Sequence, residues 1–249
     1  MNISVVIITR NEAHIIGNTL QSVQGITDDI VIVDSGSTDD TLAIVSGFGA
    51  QIIQTPWNGY GANKNMGIKA AKHDWILNLD ADEAIDETLK QCLAGLALAD
   101  SCEVYEIWFK NFFMKKWIRY GEWGTDKHIR LFNRTRVMWN EAAVHENLML
   151  GPETKIRLLP GHILHYTVHS VEDYEQKTVA YAKLNAQKYR AQDKKSGWLK
   201  QYLSPVFSFL QNYIFRLGFL DGREGLQIAR NTARYTYLKY QYLHELNKK

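Results

Sequence analysis

Two acidic residues, Asp80 and Asp82, follow an apolar run at residues 75–79, and Glu83 comes next. Hard divalent cations prefer oxygen ligands, and Mg²⁺ is usually held by one or two carboxylates together with substrate phosphates and water. Acids at the end of a strand also serve solvation and helix capping, so the pair needs support from the elements around it. With that support, it predicts a site for Mg²⁺ or Mn²⁺ bound against a diphosphate.

Four apolar runs have the length of buried strands, and stretches with helical spacing separate them. The runs lie at residues 3–8, 30–33, 51–53 and 75–79, and the helical stretches at residues 15–23, 42–45 and 66–71. This alternation predicts an α/β fold, in which a mostly parallel sheet carries helices on both faces. Ligands of such open sheets bind beyond the carboxyl ends of the strands. Asn11, Asp34 and the acidic pair all fall at those ends.

The composition allows one large domain, or a domain with an appendage. The chain has 249 residues, 45% of them hydrophobic, and its two cysteines, Cys92 and Cys102, lack the spacing of a zinc site. No run approaches the roughly 18 apolar residues of a spanning helix. Met1 and Asn2 lead into the first strand without the basic segment of a signal peptide. We therefore expect a cytoplasmic protein.

Charge is divided unevenly along the chain. Residues 1–169 carry 15 Lys and Arg against 20 Asp and Glu, whereas residues 170–249 carry 14 against 7. An apolar stripe with a 3.6-residue period starts after Pro205. Its members are Val206, Phe209, Leu210, Tyr213, Ile214, Leu217 and Leu220. We predict a catalytic domain at residues 1–168 and a basic amphipathic helical extension at residues 169–249. The stripe can pack onto the catalytic domain or onto a second subunit of a homo-oligomer, or lie in a membrane interface.

Six motifs occur in the order of one enzyme family. They are Thr-Arg-Asn-Glu at 9–12, Asp-Ser-Gly-Ser-Thr-Asp at 34–39, Thr-Pro-Trp-Asn-Gly-Tyr-Gly-Ala-Asn-Lys-Asn at 55–65, Leu-Asp-Ala-Asp-Glu at 79–83, Arg-Leu-Phe-Asn-Arg at 130–134 and Val-His-Glu at 144–146. Together they resemble the family 2 inverting glycosyltransferases of the GT-A fold, and within them the lipopolysaccharide-core β-1,4-glucosyltransferase branch. The resemblance covers residues 1–165 well and the rest loosely. One departure is Glu122, in Gly-Glu-Trp at 121–123, where that branch has Gly-Gly-Trp.

That resemblance implies an inverting, metal-dependent hexosyltransferase whose GT-A domain carries a C-terminal helical appendage. The donor would be a nucleotide-diphosphate sugar, with UDP as the usual nucleotide of the family. The acceptor would be a saccharide or a lipid-linked glycan of the cell envelope, such as lipopolysaccharide core. A lipid-linked acceptor would place the enzyme peripherally on the inner leaflet of the cytoplasmic membrane. No nucleic-acid partner is expected.

The metal and the leaving group are assigned to the fourth strand end. Asp82 is predicted as the direct metal ligand, and Asp80 as a ligand of the ribose, of the metal or of its water shell. His165 is a further candidate for the metal or the diphosphate, although a lone His beside an apolar strand is also typical of hydrogen-bonded structure. A metal held there acts as a Lewis acid on the departing diphosphate.

The remaining strand ends are assigned to the nucleotide sugar. Thr9, Asn11 and Glu12 are expected to open the first helix, whose free N–H groups hold polar ligand atoms, although N-capping alone would explain Asn11. The other candidates for the nucleotide sugar are Asp34, Asp39, Lys64, Asp80 and Arg130. Three have a structural alternative: Asp39 as a helix-start acid, Lys64 as a solvated helix lysine, and Arg130 as a salt-bridged strand residue.

Proton transfer needs a base across the sugar from the metal. Glu146 is the predicted base, because a carboxylate can take a hydroxyl proton as attack proceeds. Its neighbour His145 competes for this role or for the metal, and Glu141 is a third candidate.

Three other classes of protein fit part of the pattern. A dinucleotide-binding oxidoreductase would need G-x-G-x-x-G after the first strand, which is absent. A phosphatase that forms an aspartyl-phosphate could use Asp80 and Asp82, but its pair normally follows the first strand. A non-catalytic nucleotide-sugar-binding protein would keep Asp34 and have no use for Glu146.

Overall fold

The computed structural model describes residues 2–140, 146–195 and 197–248. Its strands are β1 (Ile3–Thr9), β2 (Ile30–Asp34), β3 (Gln51–Gln54), β4 (Trp75–Asp80), β5 (Glu83–Ile85), β6 (Glu103–Phe113), β7 (Lys116–Trp117), β8 (Lys127–Asn133) and β9 (Lys155–Val168). Its α-helices are α1 (Ile16–Val23), α2 (Thr41–Ser46), α3 (Tyr60–Ala70), α4 (Glu87–Gly95), α5 (Val171–Ala191), α6 (Trp198–Leu210) and α7 (Gly222–Lys248).

The chain forms two compact units. The first unit comprises Met1–Phe109 and Lys127–His165, and the second unit comprises Lys110–Asp126 and Tyr166–Lys249. The second unit thus combines an internal segment with the C-terminal helices.

The sheet has the strand order β3-β2-β1-β4-β8-β6-β9-β5. Strand β1 pairs in parallel with β2 and β4, which places Thr9 opposite Asp34 and Ile8 opposite Asp80. Strand β3 is parallel to β2, whereas β8 pairs antiparallel with both β4 and β6, and β5 pairs antiparallel with β9. The predicted α/β fold is confirmed, and the sheet is mixed, with its parallel strands gathered at β1 to β4. The carboxyl ends of β1, β2 and β4 meet at one edge.

Helices cover both faces of the parallel strands because successive side chains of a strand point to opposite faces. Val5 and Ile7 of β1 share a buried core with Leu20 of α1. Val6, between them, shares a separate buried core with Ile68 of α3. The continuous apolar character of these strands therefore reflects burial on two sides.

Helix α3 packs against the sheet, and Gly67 permits the close approach. A Cβ atom at this position would lie 2.5 Å from Cγ1 of Val6 and 2.9 Å from Cγ2 of Val33. Real side chains do not tolerate such contacts, so a larger residue would push α3 away from the sheet. The close packing brings the first turns of α3 over the end of β4.

Asp86 joins β5, α4 and β9. Its carboxylate caps α4 by accepting a hydrogen bond from the Leu89 amide at 3.0 Å, and it also accepts one from the His162 amide at 3.0 Å. This link accompanies the antiparallel register in which Glu83 of β5 lies opposite His165 of β9. Two residues far apart in the sequence are thereby placed side by side.

The second unit is built around buried polar groups as well as a small apolar core. Phe113, Ile118, Val168 and Ile228 form that core. The carboxylate of buried Asp221 accepts hydrogen bonds from the backbone amides of residues 119 and 120 at 3.1 and 2.8 Å.

Glu122, the residue that departs from the Gly-Gly-Trp pattern, also has a structural role in the second unit. Its amide donates to Oδ1 of Asn212 at 2.7 Å, and its carboxylate accepts from Nδ2 of the same asparagine at 3.3 Å. Glu122 thus holds residues 121–123 against the segment that follows α6.

Helix α6 corrects the expectation that the apolar stripe starts after Pro205. The helix begins at Trp198, with Gly197 as its N-cap residue, and Pro205 lies inside it. It continues as a π-helix over Gln211–Phe215 and turns at Leu217, whose φ of 59° is left-handed. In the part of the chain that the structure describes, no helix is long and apolar enough to cross a membrane.

Candidate active site

Asp80 lies at the carboxyl end of β4 between two basic side chains. Lys64 Nζ is 3.2 Å from Asp80 Oδ1, and the Arg130 guanidinium donates to Oδ2 at 3.2 Å. Burial would raise the pKa of Asp80, but the charges of Lys64 and Arg130 outweigh it and hold this pKa well below its usual range. Asp80 is therefore ionised throughout the neutral pH range.

Lys64 is among the largest fully buried side chains of the first unit, with 2% exposure. Its ammonium contacts Asp80 and also donates a hydrogen bond to Glu146 Oε1 at 3.1 Å. It further lies 4.5 Å from the centre of the Trp139 ring, within cation–π range. The interpretation of Lys64 as a solvated helix lysine is wrong. Lys64 instead joins the predicted donor carboxylate to the predicted base.

The segment that carries Glu146 is tied to α3. Asn65 of α3 donates to the carbonyl oxygen of Trp139 at 2.8 Å and accepts from its amide at 3.1 Å. The Asn140 amide then donates to the Asn147 carbonyl oxygen at 2.9 Å, and the Asn147 amide donates to Oδ1 of Asn140 at 3.0 Å. Glu146 is therefore held beside α3 by a reciprocal pair of hydrogen bonds.

Gly61 allows this segment to approach α3. A Cβ atom at position 61 would overlap the carbonyl oxygen of Asn140 and lie 3.5 Å from Cβ of Glu146. The glycine in the Gly-Tyr-Gly motif at residues 59–61 is thus a close-approach glycine. The two other base candidates, His145 and Glu141, lie outside the described residues.

Arg130 of β8 is buried and paired, as the structural alternative for this residue expected. It contacts Asp80, forms a short ion pair with the carboxylate of buried Glu83, and stacks 5.3 Å from the centre of the Phe109 ring. Its Nε is buried and has no hydrogen-bond partner among the described residues. Its role toward a phosphate stays a prediction.

Asp82 faces His165 across the end of the sheet. His165 Nε2 lies 3.5 Å from Asp82 Oδ2, and the imidazole meets the Phe109 ring edge to face. Burial alone would lower the pKa of His165, but Asp82 and the neighbouring carboxylates raise it above its usual value. The pair thus places a carboxylate and a readily protonated imidazole next to Asp80.

The donor set fits a hard divalent cation that a diphosphate completes. Asp80 Oδ1 is buried and ion-paired with Lys64 at 3.2 Å, and no other group of the described chain hydrogen-bonds to it. Within residues 2–140, 146–195 and 197–248, no three His, Cys, Asp or Glu side chains are arranged as a metal cage. Two carboxylates plus substrate phosphates are the usual ligands of Mg²⁺, which needs no such cage. The metal roles of Asp82, Asp80 and His165 stay predictions.

The residues after β1 form a turn and do not open a helix. Helix α1 begins only at Ile16, with Ile15 as its N-cap residue, so the expected N-cap role of Asn11 is wrong. Asn11 has a left-handed φ of 55°, and its Oδ1 accepts from the Thr38 amide at 2.7 Å. The Glu12 amide donates to Thr41 Oγ1 at 2.8 Å. The turn after β1 is therefore tied to the loop after β2.

Thr9 is the last residue of β1 and lies at this edge of the sheet. Its Oγ1 is buried, and no group in the described part of the chain hydrogen-bonds to it. A buried hydroxyl without a partner is rare and asks for a ligand or a water.

Asp34 and Asp39 organise the loop after β2. The buried Asp34 carboxylate accepts from the amides of Gly36 and Ser37, each at 3.0 Å, and from the Ser37 hydroxyl. Asp39 accepts from the Thr41 hydroxyl and amide and from the Ala13 amide, and the Thr41 hydroxyl is the main cause of its lowered pKa. These bonds shape the loop after β2, and direct nucleotide contacts by either acid stay predictions.

Sequence reasoning missed the buried polar residues that support the site. Glu83 stands in the sequence only as the neighbour of the acidic pair, yet it binds Arg130 and accepts from the Asp80 amide at 3.0 Å. Asn63 is fully buried and donates to Ser35 Oγ at 2.8 Å. A usable sign was present in α3, where the consecutive polar residues at 63–65 leave no polar face separate from an apolar one.

Comparisons with known proteins point to one enzyme family. The family model described as glycosyl transferase family 2 matches residues 4–147. The chain is 28% identical to an uncharacterised glycosyltransferase of Rickettsia prowazekii, over 99% of this chain and 88% of that protein. It is 29% identical to the lipopolysaccharide core biosynthesis glycosyltransferase LpsC of Rhizobium meliloti, over 95% of this chain and 89% of that protein.

The fold has a counterpart among solved structures. The mannosyltransferase PcManGT of Pyrobaculum calidifontis, solved with GDP-Man and Mn²⁺, superposes with a TM-score of 0.53 at 13% identity, over all of this chain and 88% of that protein. At this identity the likeness concerns the fold alone. The family model, in contrast, spans Asp80, Lys64 and Glu146. The chain belongs to glycosyl transferase family 2 and is a glycosyltransferase.

Proposed function

We propose that this enzyme transfers a hexose, with inversion, from a UDP-sugar to a glycan acceptor of the cell envelope, and that lipopolysaccharide core is the acceptor class. The observation that carries the proposal is the Lys64 ammonium, which lies between Asp80 and Glu146 at 3.2 and 3.1 Å. The predicted donor carboxylate and the predicted base thus share one buried cation. The name of the relative LpsC supports the acceptor class.

Glu146 performs the proton transfer in this proposal. The acceptor hydroxyl attacks the anomeric carbon from the face opposite the nucleotide, and its proton passes to the Glu146 carboxylate. The bond between the anomeric carbon and the diphosphate oxygen breaks, and the nucleoside diphosphate departs with that electron pair. Attack from the opposite face inverts the configuration.

Asp80 and Asp82 would hold Mg²⁺ or Mn²⁺ in this proposal, with His165 as a neighbour. The cation would act as a Lewis acid on the leaving diphosphate. The site that binds the nucleotide would be lined by Thr9, Asn11, Glu12, Asp34 and Asp39.

Lys64 positions the base. Its ammonium is fixed by Asp80 on one side and by the Trp139 ring on another, so Glu146 Oε1 is held to one place. A positioned carboxylate avoids the loss of rate that a displacement of about 1 Å can cause.

The proposal also includes the domain bounds and the location of the enzyme. Residues 1–168 would be the catalytic domain, and residues 169–249 an extension. A lipid-linked acceptor would require work at the cytoplasmic face of the membrane.

The test separates binding from transfer. Calorimetric titration with UDP, with and without Mn²⁺, is combined with a transfer assay on wild type, Glu146→Gln and Asp82→Ala. We expect Glu146→Gln to bind UDP normally and to lose transfer by about 10²–10⁴-fold, and Asp82→Ala to lose the metal-dependent part of UDP binding.

Two results would contradict the proposal. Normal transfer by Glu146→Gln would remove its assignment as the base. Failure of the wild-type protein to bind UDP or any other nucleoside diphosphate, with or without metal, would remove the nucleotide-sugar donor altogether.

A further inference from the structure

An exposed apolar surface covers one side of α6 and the segment after it. We call it the α6 face; its members are Trp198, Leu199, Tyr202, Leu203, Val206, Phe207, Leu210, Ile214 and Phe215, each at least 40% exposed. In α6 they recur at positions 198, 202, 206 and 210, and again at 199, 203 and 207. Residues four apart lie above one another on a helix, so these side chains share one side. Contiguous apolar surfaces of this kind mark interaction sites.

Packing within the second unit leaves this surface open. Helix α6 is in contact with α7, where the rings of Tyr202 and Tyr237 lie 5.9 Å apart. No residue of α6 is fully buried in the structure as described. The most exposed ring is Phe215, at 72%. The helix therefore has more apolar surface than its contact with α7 uses.

Basic residues flank the α6 face, and Lys200 lies among its first members, between Leu199 and Tyr202. Residues 201–215 contain no charged side chain. Lys194, Lys195 and Lys200 precede this stretch, and Arg216 and Arg223 follow it. The second unit as a whole carries 18 Lys and Arg against 9 Asp and Glu, whereas the first unit carries 11 against 18.

A cleft in the second unit adds to this positive charge. It has a volume of 710 Å³, and its lining includes Lys115, Lys116, His169 and Arg223. Glu224, the acid among its lining residues, is paired with Lys116 at 2.8 Å, so the positive charge of the cleft rests on Lys115 and Arg223. The unit thus presents positive charge at more than one place.

We propose that the α6 face docks into the interfacial region of a bilayer that contains anionic lipids. Helices that lie in this region combine Trp, Phe and Leu on one side with basic residues at the polar boundary. Each Lys or Arg beside such a helix strengthens binding to an anionic surface by about fivefold. Trp198 suits the boundary itself, where Trp and Tyr are enriched.

Charge favours the bilayer over a second copy of the chain as the occupant. Two copies that met through this face would bring basic residues together in either orientation of α6, because lysines precede the uncharged stretch 201–215 and Arg216 and Arg223 follow it. Like charges in one interface oppose association. Anionic headgroups neutralise the same residues. This docking is independent of the sugar that the enzyme transfers.

Vesicle flotation tests the proposal with the whole protein. The probes are phosphatidylcholine vesicles with and without phosphatidylglycerol, each at low and at high salt. We expect the protein to float with the anionic vesicles at low salt and to be released by high salt. The triple variant Lys194→Glu, Lys195→Glu, Lys200→Glu should weaken this partition by about 100-fold or more, because three attractions to the headgroups are replaced by three repulsions.

Matched control variants distinguish an effect of the α6 face from an effect of net charge and from an effect of exposed apolar residues elsewhere on the protein. Lys69→Glu, Lys90→Glu, Arg136→Glu changes the net charge equally in the first unit and should leave flotation unchanged. Phe207→Ser, Phe215→Ser should weaken flotation by at least about 10-fold, because two rings are withdrawn from the acyl boundary. Ile156→Ser, Leu158→Ser removes two exposed apolar side chains of the first unit and should have no effect.

Three results would overturn the proposal. The first is a monomer that floats with neither kind of vesicle. The second is equal flotation with neutral and anionic vesicles. The third is a dimer by light scattering that Phe207→Ser, Phe215→Ser converts to monomer without any vesicle binding. Calorimetry with UDP on the same variants distinguishes a failure of this proposal from a failure of the proposed function. None of the substituted residues lies at the carboxyl ends of β1, β2 and β4, so UDP binding should be unchanged in all of the variants.

Discussion

In the first unit Lys64 retains 2% of its exposure, whereas in the second unit Phe207 retains 61%. A charged side chain lies inside one unit, and an aromatic ring lies outside the other. Burying a charge costs free energy unless partners compensate, and leaving a Phe in water forgoes about 1.5–3 kcal/mol. Both arrangements lower the stability of the folded protein. Groups that are kept at such a cost are the ones we expect to serve binding and chemistry.

The two arrangements differ in how far they depend on their surroundings. Lys64 needs Asp80, Glu146 and Trp139 in place, because a buried ammonium without counter-charges is strongly unfavourable. The α6 face needs no stabilising partner, because the free-energy cost of each exposed side chain does not depend on its neighbours. Substitutions in the first case should therefore propagate, and in the second case they should remain local.

The largest expected effect is that of Lys64→Met. Two carboxylates would lose their common cation, so we expect unfolding free energy to fall by about 2–3 kcal/mol, somewhat less than for a fully buried pair, because Asp80 keeps 32% of its side chain exposed. Transfer should fall by about 100-fold as Glu146 loses its position. Urea denaturation and initial rates measure both. Lys69→Met, an exposed lysine of the same helix, is the control, and equal behaviour of the two variants would show that burial of Lys64 has no consequence.

Gly61→Ala should affect the rate more than the stability of the first unit. The added Cβ overlaps the Asn140 carbonyl oxygen, so the segment that carries Glu146 must shift. We expect kcat to fall by about 10- to 100-fold with UDP affinity little changed. Gly95→Ala, where a Cβ meets nothing within 4 Å, should leave kcat at the wild-type value. A parallel loss of UDP affinity would place Gly61 on the donor side instead.

The stability that Asp80 supplies should depend on pH. Its pKa is lower in the folded protein than its ordinary value of 3.8, so its contribution is present above that value and is lost as the pH falls through the lowered folded-state pKa. We expect wild type to exceed Asp80→Asn in unfolding free energy at pH 7 and the difference to shrink toward acid pH. Circular dichroism in urea at a series of pH values measures it, with exposed Asp40→Asn as control. A difference that grew toward acid pH would reverse the assigned sign.

The smallest effect is expected at the α6 face. Phe207→Ser, Phe215→Ser should change unfolding free energy by less than about 0.5 kcal/mol per site, as is usual for exposed positions. Leu77→Ala, in the fully buried core of β4, should cost about 2–5 kcal/mol. A loss of several kcal/mol from the serine variant would show that these rings stabilise the second unit and would end the contrast between the two regions.

Local chemistry explains what could be predicted before the structure was known. The apolar runs that became β1, β2 and β4 are continuous because both faces are covered, and that pattern is legible in a window of a few residues. The convergence of Asn11, Asp34 and Asp80 then follows from the parallel connection alone. Even so, the expected start of α1 is wrong, because the turn after β1 is stabilised by residues of the loop after β2.

Long-range contacts explain what could not be predicted. Lys64 and Glu146 are separated by 82 positions, and their hydrogen bond forms because Gly67 brings α3 onto the sheet and Gly61 admits the Asn140 segment. Glu83 and Arg130 meet because β8 joins the edge of β4. None of these pairings leaves a periodic trace in the sequence.

The sequence by itself determined the α/β layers, the convergence of polar residues at the strand ends and the family, because each rests on short motifs and on the period of apolar residues. Tertiary structure alone decided that Lys64 is buried between two carboxylates, that Asp34 and Asp39 bind their own loops, and that the α6 face remains exposed. Burial and pairing are properties of the whole packed chain, since a side chain's cost is set by the groups that surround it in space.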